Sequence, residues 1–135
     1  MRTLFSFECS GKDLEKYDQW NDYYFVLPLL LKDPIYFEFM KKTRKLKILD
    51  NGVYESGIPE VDNLLLMARM IKADEVVIPD FMNNREKTKE VVSSFLENLS
   101  KDEWKEFKWM IVPHDTTITG WMNAYTEFDE LFGHK

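Results

Sequence analysis

The sequence predicts an α/β fold built from consecutive strand–helix units around a parallel sheet. Short apolar segments alternate along the chain with amphipathic segments of helical period, and this alternation is typical of βα repeats. Each clear apolar segment is followed at once by polar or turn-forming residues. The chain has 135 residues, of which 44% are hydrophobic, and this length and composition predict one globular domain over residues 1–135.

The first part of the chain predicts two strands separated by a polar segment. Residues 2–8 alternate loosely between apolar and polar types and predict a short edge strand. Residues 11–22 are polar and predict a loop with a helical turn. The continuous apolar run over residues 23–31 predicts a second strand, which Pro28 makes imperfect because proline cannot donate a backbone hydrogen bond.

The middle of the chain predicts a strand with one helix before it and one helix after it. Pro34 stands where the first turn of a helix tolerates proline, so we expect a helix to about Thr43 with Asp33 as its cap. Residues 46–49 predict a strand that runs into an Asp-Asn-Gly turn. Apolar side chains recur at helical spacing over residues 59–72 and predict a helix there.

The last part of the chain predicts two strands and three helices. A serine with a glutamate three residues later, Ser100 and Glu103, has the pattern of a capping box. In chain order we expect a strand over 75–80, a helix over 83–99, a helix starting at 100, a strand over 109–113 and a helix over 117–132. The whole pattern predicts a parallel sheet with right-handed crossovers.

Composition narrows the class of protein. A net charge of -6 argues against a nucleic-acid coat held by charge alone. The one dense basic stretch, residues 41–47, is interpreted as a solvated helix end, with a phosphate-contacting patch as the alternative. A single cysteine, Cys9, excludes an internal disulfide and a cysteine-rich zinc site. The sequence shows no signal peptide and no apolar run near ~20 residues, so we expect a cytoplasmic protein without a membrane partner. We also expect no metal and no cofactor.

Polar side chains end three successive predicted strands. Asp50 follows the strand of residues 46–49, Asp80 ends the next, and His114 with Asp115 follows the last. In parallel α/β folds ligands bind at the carboxyl ends of the strands. The sequence therefore predicts one site there, although a single carboxylate at such a place also suits a helix cap.

The residues around these strand ends resemble a known enzyme family. Leu49-Asp50-Asn51-Gly52-Val53-Tyr54-Glu55 is similar to the Asp-Asn/Ser-Gly-x-Tyr/Phe segment of tRNA-guanine transglycosylases and of their DNA-modifying phage relatives. Residues 73–80 resemble the family's next motif, a strand that ends in a base-reading aspartate, and residues 109–114 with Trp121 resemble the following strand and helix. The resemblance implies a partial, half-length TIM-like (β/α) barrel.

The resemblance also implies roles for these residues. Asp50 corresponds to the active-site aspartate, Asp80 to the base-recognition aspartate and Tyr54 to the stacking aromatic. A carboxylate accepts the N–H donors of guanine or 7-deazaguanine, an aromatic ring stacks on a purine, and glycine permits a close backbone approach. The predicted base-binding set is Asp80, Tyr54, Asn51, Gly52 and His114.

Each of these residues also has a structural alternative. Asp50 to Gly52 is an ordinary turn tripeptide. Tyr54 can be a packed aromatic, Asp80 a helix cap and His114 a structural histidine. A purine site requires the Asp50 and Asp80 carboxylates and the Tyr54 ring to surround one cleft, whereas scattered positions favour an interaction domain.

Departures from the family limit the predicted activity. The family's covalent nucleophile is an aspartate on a later strand, and no position here matches that motif. Because ping-pong base exchange needs a nucleophile at the ribose C1′, we expect one part of a base-exchange enzyme acting on DNA or tRNA. A second chain or a second copy would then cover the open edge of the sheet. The alternatives are a non-catalytic purine- or nucleotide-binding protein, and an interaction domain without a small-molecule ligand.

Overall fold

A parallel sheet of four strands organises the protein, whose computed structural model describes residues 2–133. The strands lie in the order β1-β2-β3-β4, and each neighbouring pair is parallel. Their bounds are Tyr23–Val26 (β1), Leu46–Leu49 (β2), Glu75–Val77 (β3) and Lys108–Met110 (β4). Because the order never reverses, every connection steps the chain in the same direction across the sheet. The prediction of a mixed α/β fold with consecutive parallel βα units is therefore confirmed.

Helices connect and follow these strands. The α-helices of the described residues are Leu14–Tyr17 (α1), Pro34–Lys42 (α2), Val53–Ser56 (α3), Leu64–Ile71 (α4), Arg85–Asn98 (α5), Lys101–Glu106 (α6) and Ile118–Phe132 (α7). Short 3₁₀ turns cover Gly11–Asp13, Asp18–Trp20 and Leu30–Lys32. Across residues 2–133 no helix has the length and apolar character needed to cross a membrane.

Side-chain caps explain where the longer helices begin. Asp33 accepts a hydrogen bond from the Ile35 backbone N–H at 2.9 Å at the start of α2. Asn84 does the same for the Lys87 N–H at 3.0 Å before α5. The predicted capping box is present at the start of α6. Such caps satisfy N–H groups that the first turn leaves without partners, each worth about 1 kcal/mol.

The core lies between one face of the sheet and the helices. Tyr24 and Val26 of β1, Leu49 of β2 and Val76 of β3 are almost completely buried. They belong to one apolar cluster with side chains from the helices, among them Met40, Leu64, Ala68, Ile71, Val92, Phe95, Phe128 and Phe132. Burying each large side chain contributes roughly 1.5–3 kcal/mol. This layer fixes the sheet, and with it the positions at which the strands end.

The opposite face of the sheet is less covered. Phe25 and Ile48 are register partners and so project from the same face. Both are only half-buried, as is Met110 of β4, and Leu46 is 40% exposed. The sheet therefore has one dry face against the helices and one face that retains contact with solvent.

The N-terminal segment lies beside β1 but is not the predicted edge strand. The Asp22 N–H donates to the Phe5 carbonyl at 2.8 Å, and the Phe25 N–H donates to Ser6 Oγ at 3.1 Å. Residues 2–8 thus lie along the outer edge of β1. The Phe25 backbone N–H is satisfied by the Ser6 hydroxyl and not by a backbone carbonyl of residues 2–8, so these residues do not form a strand paired with β1.

Two predicted elements are shorter than expected. The apolar run over residues 23–31 is a strand only to Val26, because the chain turns at Pro28. The helix predicted over residues 59–72 begins only at Leu64. Before it stands α3, whose C-terminal Gly57 has a φ of 74° and ends that helix.

Candidate functional site

The polar residues predicted at the strand ends converge in part. Asp50 and Asn51 follow β2, Asp80 lies just beyond β3, and His114 lies just beyond β4. Hydrogen bonds join Asn51 to Asp80 and Asp80 to His114. Because parallel strands end at the same edge of a sheet, residues about 30 positions apart in sequence meet there.

Asn51 links the end of β2 to the end of β3. Its side-chain amide nitrogen donates to Asp80 Oδ1 at 2.5 Å and to the Ile78 carbonyl at 3.0 Å. Its amide oxygen accepts from the Val53 N–H at 3.0 Å. Asn51 is 1% exposed, so each of these bonds replaces one that water would otherwise make. The amide orientation is fixed by three partners at once.

Asp80 is the centre of the cluster. It is 4% exposed, and its second carboxylate oxygen, Oδ2, hydrogen-bonds with His114 Nε2. Both oxygens are therefore held by neighbouring side chains, as a buried charge requires. The helix-cap alternative is not what the structure shows, because Asn84 caps α5.

Asp50 lies beside this cluster and is more accessible. Its Oδ2 accepts from the Gly52 N–H at 3.0 Å. Burial raises the pKa of the Asp50 carboxyl above its ordinary value; the Gly52 and Asn51 N–H groups oppose the shift, and the charges of Glu55 and Asp80 add to it. Since a carboxylate has about four lone-pair positions, half-buried Asp50 retains acceptor capacity toward a ligand.

The turn that carries Asp50 depends on glycine. Gly52 has a φ of 73°, a left-handed conformation that other residues rarely adopt. A Cβ built on Gly52 would lie 3.3 Å from the Pro28 ring. The Asn51 carbonyl also accepts the Glu60 N–H at 2.7 Å. The turn tripeptide is therefore both an ordinary turn and the support of the polar cluster.

A cavity of about 520 Å³ opens beside this turn, and Asn51 and Gly52 form part of its wall. Its other walls come from apolar side chains such as Phe37 and Met67 and from the carboxylate-bearing Glu55 and Glu60. This volume lies within the range of small-molecule sites.

Tyr54 is placed differently from the buried cluster. It belongs to α3, immediately after the Gly52 turn, and it is 78% exposed. The alternative of a packed aromatic is therefore wrong, since the ring is not part of the core. Tyr54 follows the turn in the sequence, but among the described residues no hydrogen bond or ring contact joins its side chain to Asp80 or His114.

Asp115 has a local structural role. Its Oδ1 accepts from the backbone N–H groups of Thr116 at 2.7 Å and Thr117 at 3.2 Å. It closes the turn before α7 and does not join the cluster. Within residues 2–133 no group of three or more His, Cys, Asp or Glu side chains is arranged to hold a metal ion.

No family model, no curated protein and no solved structure matches this chain. The candidate site consists of Asn51, Asp80 and His114 joined by hydrogen bonds, with Asp50 beside them. The sequence predicted each of these four residues as part of a site. The hydrogen bonds between their side chains depend on the register of the strands, which the sequence pattern does not specify.

Proposed function

We propose that the protein binds a guanine or 7-deazaguanine base at the carboxyl edge of its sheet, as the base-recognition part of a transglycosylase-like enzyme acting on nucleic acid. The observation that most supports this proposal is the bonded cluster of Asn51, Asp80 and His114 beside Asp50. It stands on three successive strand ends, where parallel α/β proteins bind ligands.

The chemistry of the cluster suits a base with N–H donors. Guanine and its 7-deaza analogue present N–H groups on the Watson–Crick edge, and carboxylates are acceptor-only partners for them. Asp50 is the accessible carboxylate, so we assign it the direct contact and the handling of a proton. Asp80 acts on the base indirectly, by holding Asn51 and His114 in place. A base without donors leaves these acceptors unpaired, which costs affinity.

Tyr54 supplies a stacking surface in this proposal. Its exposed ring follows the Asp50–Gly52 turn directly. Stacking of a base on an aromatic ring is worth about 1–3 kcal/mol. A base held at its edge by carboxylates and on one face by a ring has both its position and its plane defined.

Base exchange further requires a nucleophile, which we propose comes from a second chain or a second copy that completes a TIM-like barrel. Among the described residues β4 is the last strand of the sheet. A groove of about 460 Å³ runs beside it, lined by Trp109 and Ile111 and by Tyr125 and Phe128 of α7. An edge strand with an apolar groove beside it favours addition of another strand.

Calorimetry tests the base-binding proposal. We expect wild type to bind guanine and 7-deazaguanine but not adenine, and Asp50→Asn to lower guanine affinity tenfold or more. Asp62→Asn is the matched control, because Asp62 is an exposed aspartate outside the cluster, and it should bind as wild type does. Absence of guanine binding by wild type would contradict the proposal.

Incorporation of labelled guanine into DNA or tRNA tests the enzymatic part. We expect incorporation only when the protein is combined with the chain that supplies the nucleophile. Guanine binding without incorporation in the complete assembly would instead identify a non-catalytic binding protein.

A further inference from the structure

We propose that His114 is a specificity-determining residue whose Nδ1 accepts a hydrogen bond from the ligand, because Asp80 holds the imidazole in the tautomer that carries its proton on Nε2. This inference rests on the proposed function. It adds the direction of the hydrogen bond and, with it, the chemical class of base that the site selects.

Asp80 acts as an acceptor on both of its oxygens. Its Oδ1 receives the Asn51 side-chain N–H. Asn51 cannot turn its amide around, because its nitrogen also donates to the Ile78 carbonyl and its oxygen accepts from the Val53 N–H. The Asn51 side of Asp80 is thus fixed as a donor, and the second carboxyl oxygen, Oδ2, is the acceptor that faces His114 Nε2.

The other ring nitrogen of His114 is then an acceptor. In a neutral imidazole one nitrogen carries the proton and the other offers a lone pair. With the Nε2–H group donating to Asp80 Oδ2, the lone pair is on Nδ1. Asp80 is therefore a positioning residue for His114.

Nδ1 is not fully buried, and it has no hydrogen-bond partner among residues 2–133. Within residues 2–133 every buried side-chain nitrogen or oxygen atom has a hydrogen-bond partner. The only hydrogen bond recorded for the His114 ring in that range is the one from Nε2 to Asp80, so Nδ1 is not buried. The side chain is 14% accessible. No hydrogen bond joins the Asp115 carboxylate to the His114 ring within that range, and Asp115 Oδ1 accepts from Thr116 and Thr117.

Two acceptors with unused capacity then belong to the residues of this edge, the Asp50 carboxylate and His114 Nδ1. A 2-amino-6-oxopurine presents two kinds of donor, the ring N1–H and the 2-amino group. Hypoxanthine lacks the 2-amino group, and adenine offers a lone pair at N1. We assign the 2-amino group to His114 Nδ1, so the histidine distinguishes guanine from hypoxanthine.

Nitrogen-15 NMR of the free protein tests the tautomer without any ligand. At alkaline pH we expect the His114 ring to show the Nε2–H form, and Asp80→Asn to give a mixture of tautomers. An Nδ1–H tautomer in wild type would overturn the inference.

Two substitutions of His114 test the contact itself. His114→Gln keeps an N–H near Asp80 but removes the acceptor at the Nδ1 position, whereas His114→Asn keeps an amide at the Nδ1 position. We expect His114→Gln to weaken guanine binding about tenfold and to bring the guanine-to-hypoxanthine affinity ratio close to one, while His114→Asn retains a preference for guanine. Circular dichroism verifies that both variants fold.

The two proposals fail in different ways. If wild type binds guanine but His114→Gln leaves the ratio unchanged, the inference about His114 is wrong and the proposed function stands. If wild type has the Nε2–H tautomer but binds no guanine, the proposed function is wrong and the assignment of the 2-amino group falls with it.

Discussion

The two ends of the sheet both hold buried polar residues, but they use them differently. At the amino end Lys47 is 3% exposed and its Nζ donates to the Thr43 carbonyl at 2.9 Å. Asp74 accepts from the Lys47 N–H at 2.8 Å, and its own N–H donates to the Lys47 carbonyl at 2.9 Å. At the carboxyl end Asn51, Asp80 and His114 bond to one another through side chains.

The difference separates polar residues that complete a backbone ladder from polar residues whose side chains bond to one another and keep acceptor capacity. At the amino end the bonds of Lys47 and Asp74 extend the strand ladder and join it to the end of α2. At the carboxyl end the Asp50 carboxylate and His114 Nδ1 retain unused acceptor capacity. In sequence both ends show charged residues next to apolar strands, so only the bonding pattern distinguishes them.

The largest expected effect comes from removing the centre of the carboxyl-end cluster. Asp80→Ala leaves the buried Asn51 amide and the His114 N–H without their shared partner, which should cost about 3 kcal/mol of unfolding free energy. Asp74→Ala, at the amino end, removes one bond at an exposed position and should cost about 1 kcal/mol. Urea unfolding of the two variants measures this difference, and equal losses would contradict the distinction between the ends.

Lys47→Met tests whether the amino end is purely structural. Burial lowers the pKa of Lys47; Asp74 opposes the shift and Lys72 adds to it. The folded state therefore disfavours the charged Lys47 ammonium. As the pH rises from the pKa of Lys47 in the folded protein to its pKa in the unfolded chain, the wild-type protein gains stability. Methionine removes the charge, so the variant should be about 1 kcal/mol more stable at neutral pH.

Two measurements decide the Lys47 prediction. Unfolding at neutral and alkaline pH should show the advantage of Lys47→Met shrinking as wild-type Lys47 loses its proton. Guanine affinity should stay at the wild-type value. A weaker guanine affinity would show that the amino end also serves the ligand.

Asp50→Asn should also raise the stability slightly, but unlike Lys47→Met it should lose guanine binding. Burial raises the pKa of Asp50 in the folded protein above its value in the unfolded chain. The protonated Asp50 carboxyl therefore stabilises the fold fully below the unfolded-state pKa, and this stabilisation is lost as the pH rises through the folded-state pKa. The variant should therefore gain less than about 1 kcal/mol at neutral pH, and nothing in acid. Thermal unfolding across this pH range checks the sign; a variant less stable at neutral pH would make Asp50 a structural residue.

The smallest effect on stability is expected at Tyr54. With 78% of the residue exposed, Tyr54→Ala should change the unfolding free energy by less than about 0.5 kcal/mol. Guanine affinity should nevertheless fall severalfold if the ring stacks on the base. Unchanged affinity together with unchanged stability would remove Tyr54 from the site.

Much of the fold could be predicted because its signals are local. The alternation of apolar strands with capped helices placed β2, α5 and α7 close to their observed bounds. The failures came where a non-local contact or a turn decided the outcome. Residues 2–8 were expected to pair as a strand, but the Ser6 hydroxyl takes the place of the backbone ladder.

The site could be predicted only as a set of positions. Asp50, Asp80 and His114 were expected at one edge because parallel strands end together. That Asn51 bonds to Asp80, and Asp80 to His114, depends on the register of three strands and on the length of each loop. No local pattern encodes these distances, so the pairing of Asp80 with His114 was not foreseen.

The consecutive order of the strands also has a consequence for how the chain folds. Each strand pairs only with the strand before it and the strand after it in the sequence, so every unit can dock on its predecessor while later residues are still being synthesised. Folding that closes only such intermediate-length loops avoids the entropy of bringing distant segments together. The cluster of Asn51, Asp80 and His114 is then complete only after β4 has paired with β3, because His114 follows β4.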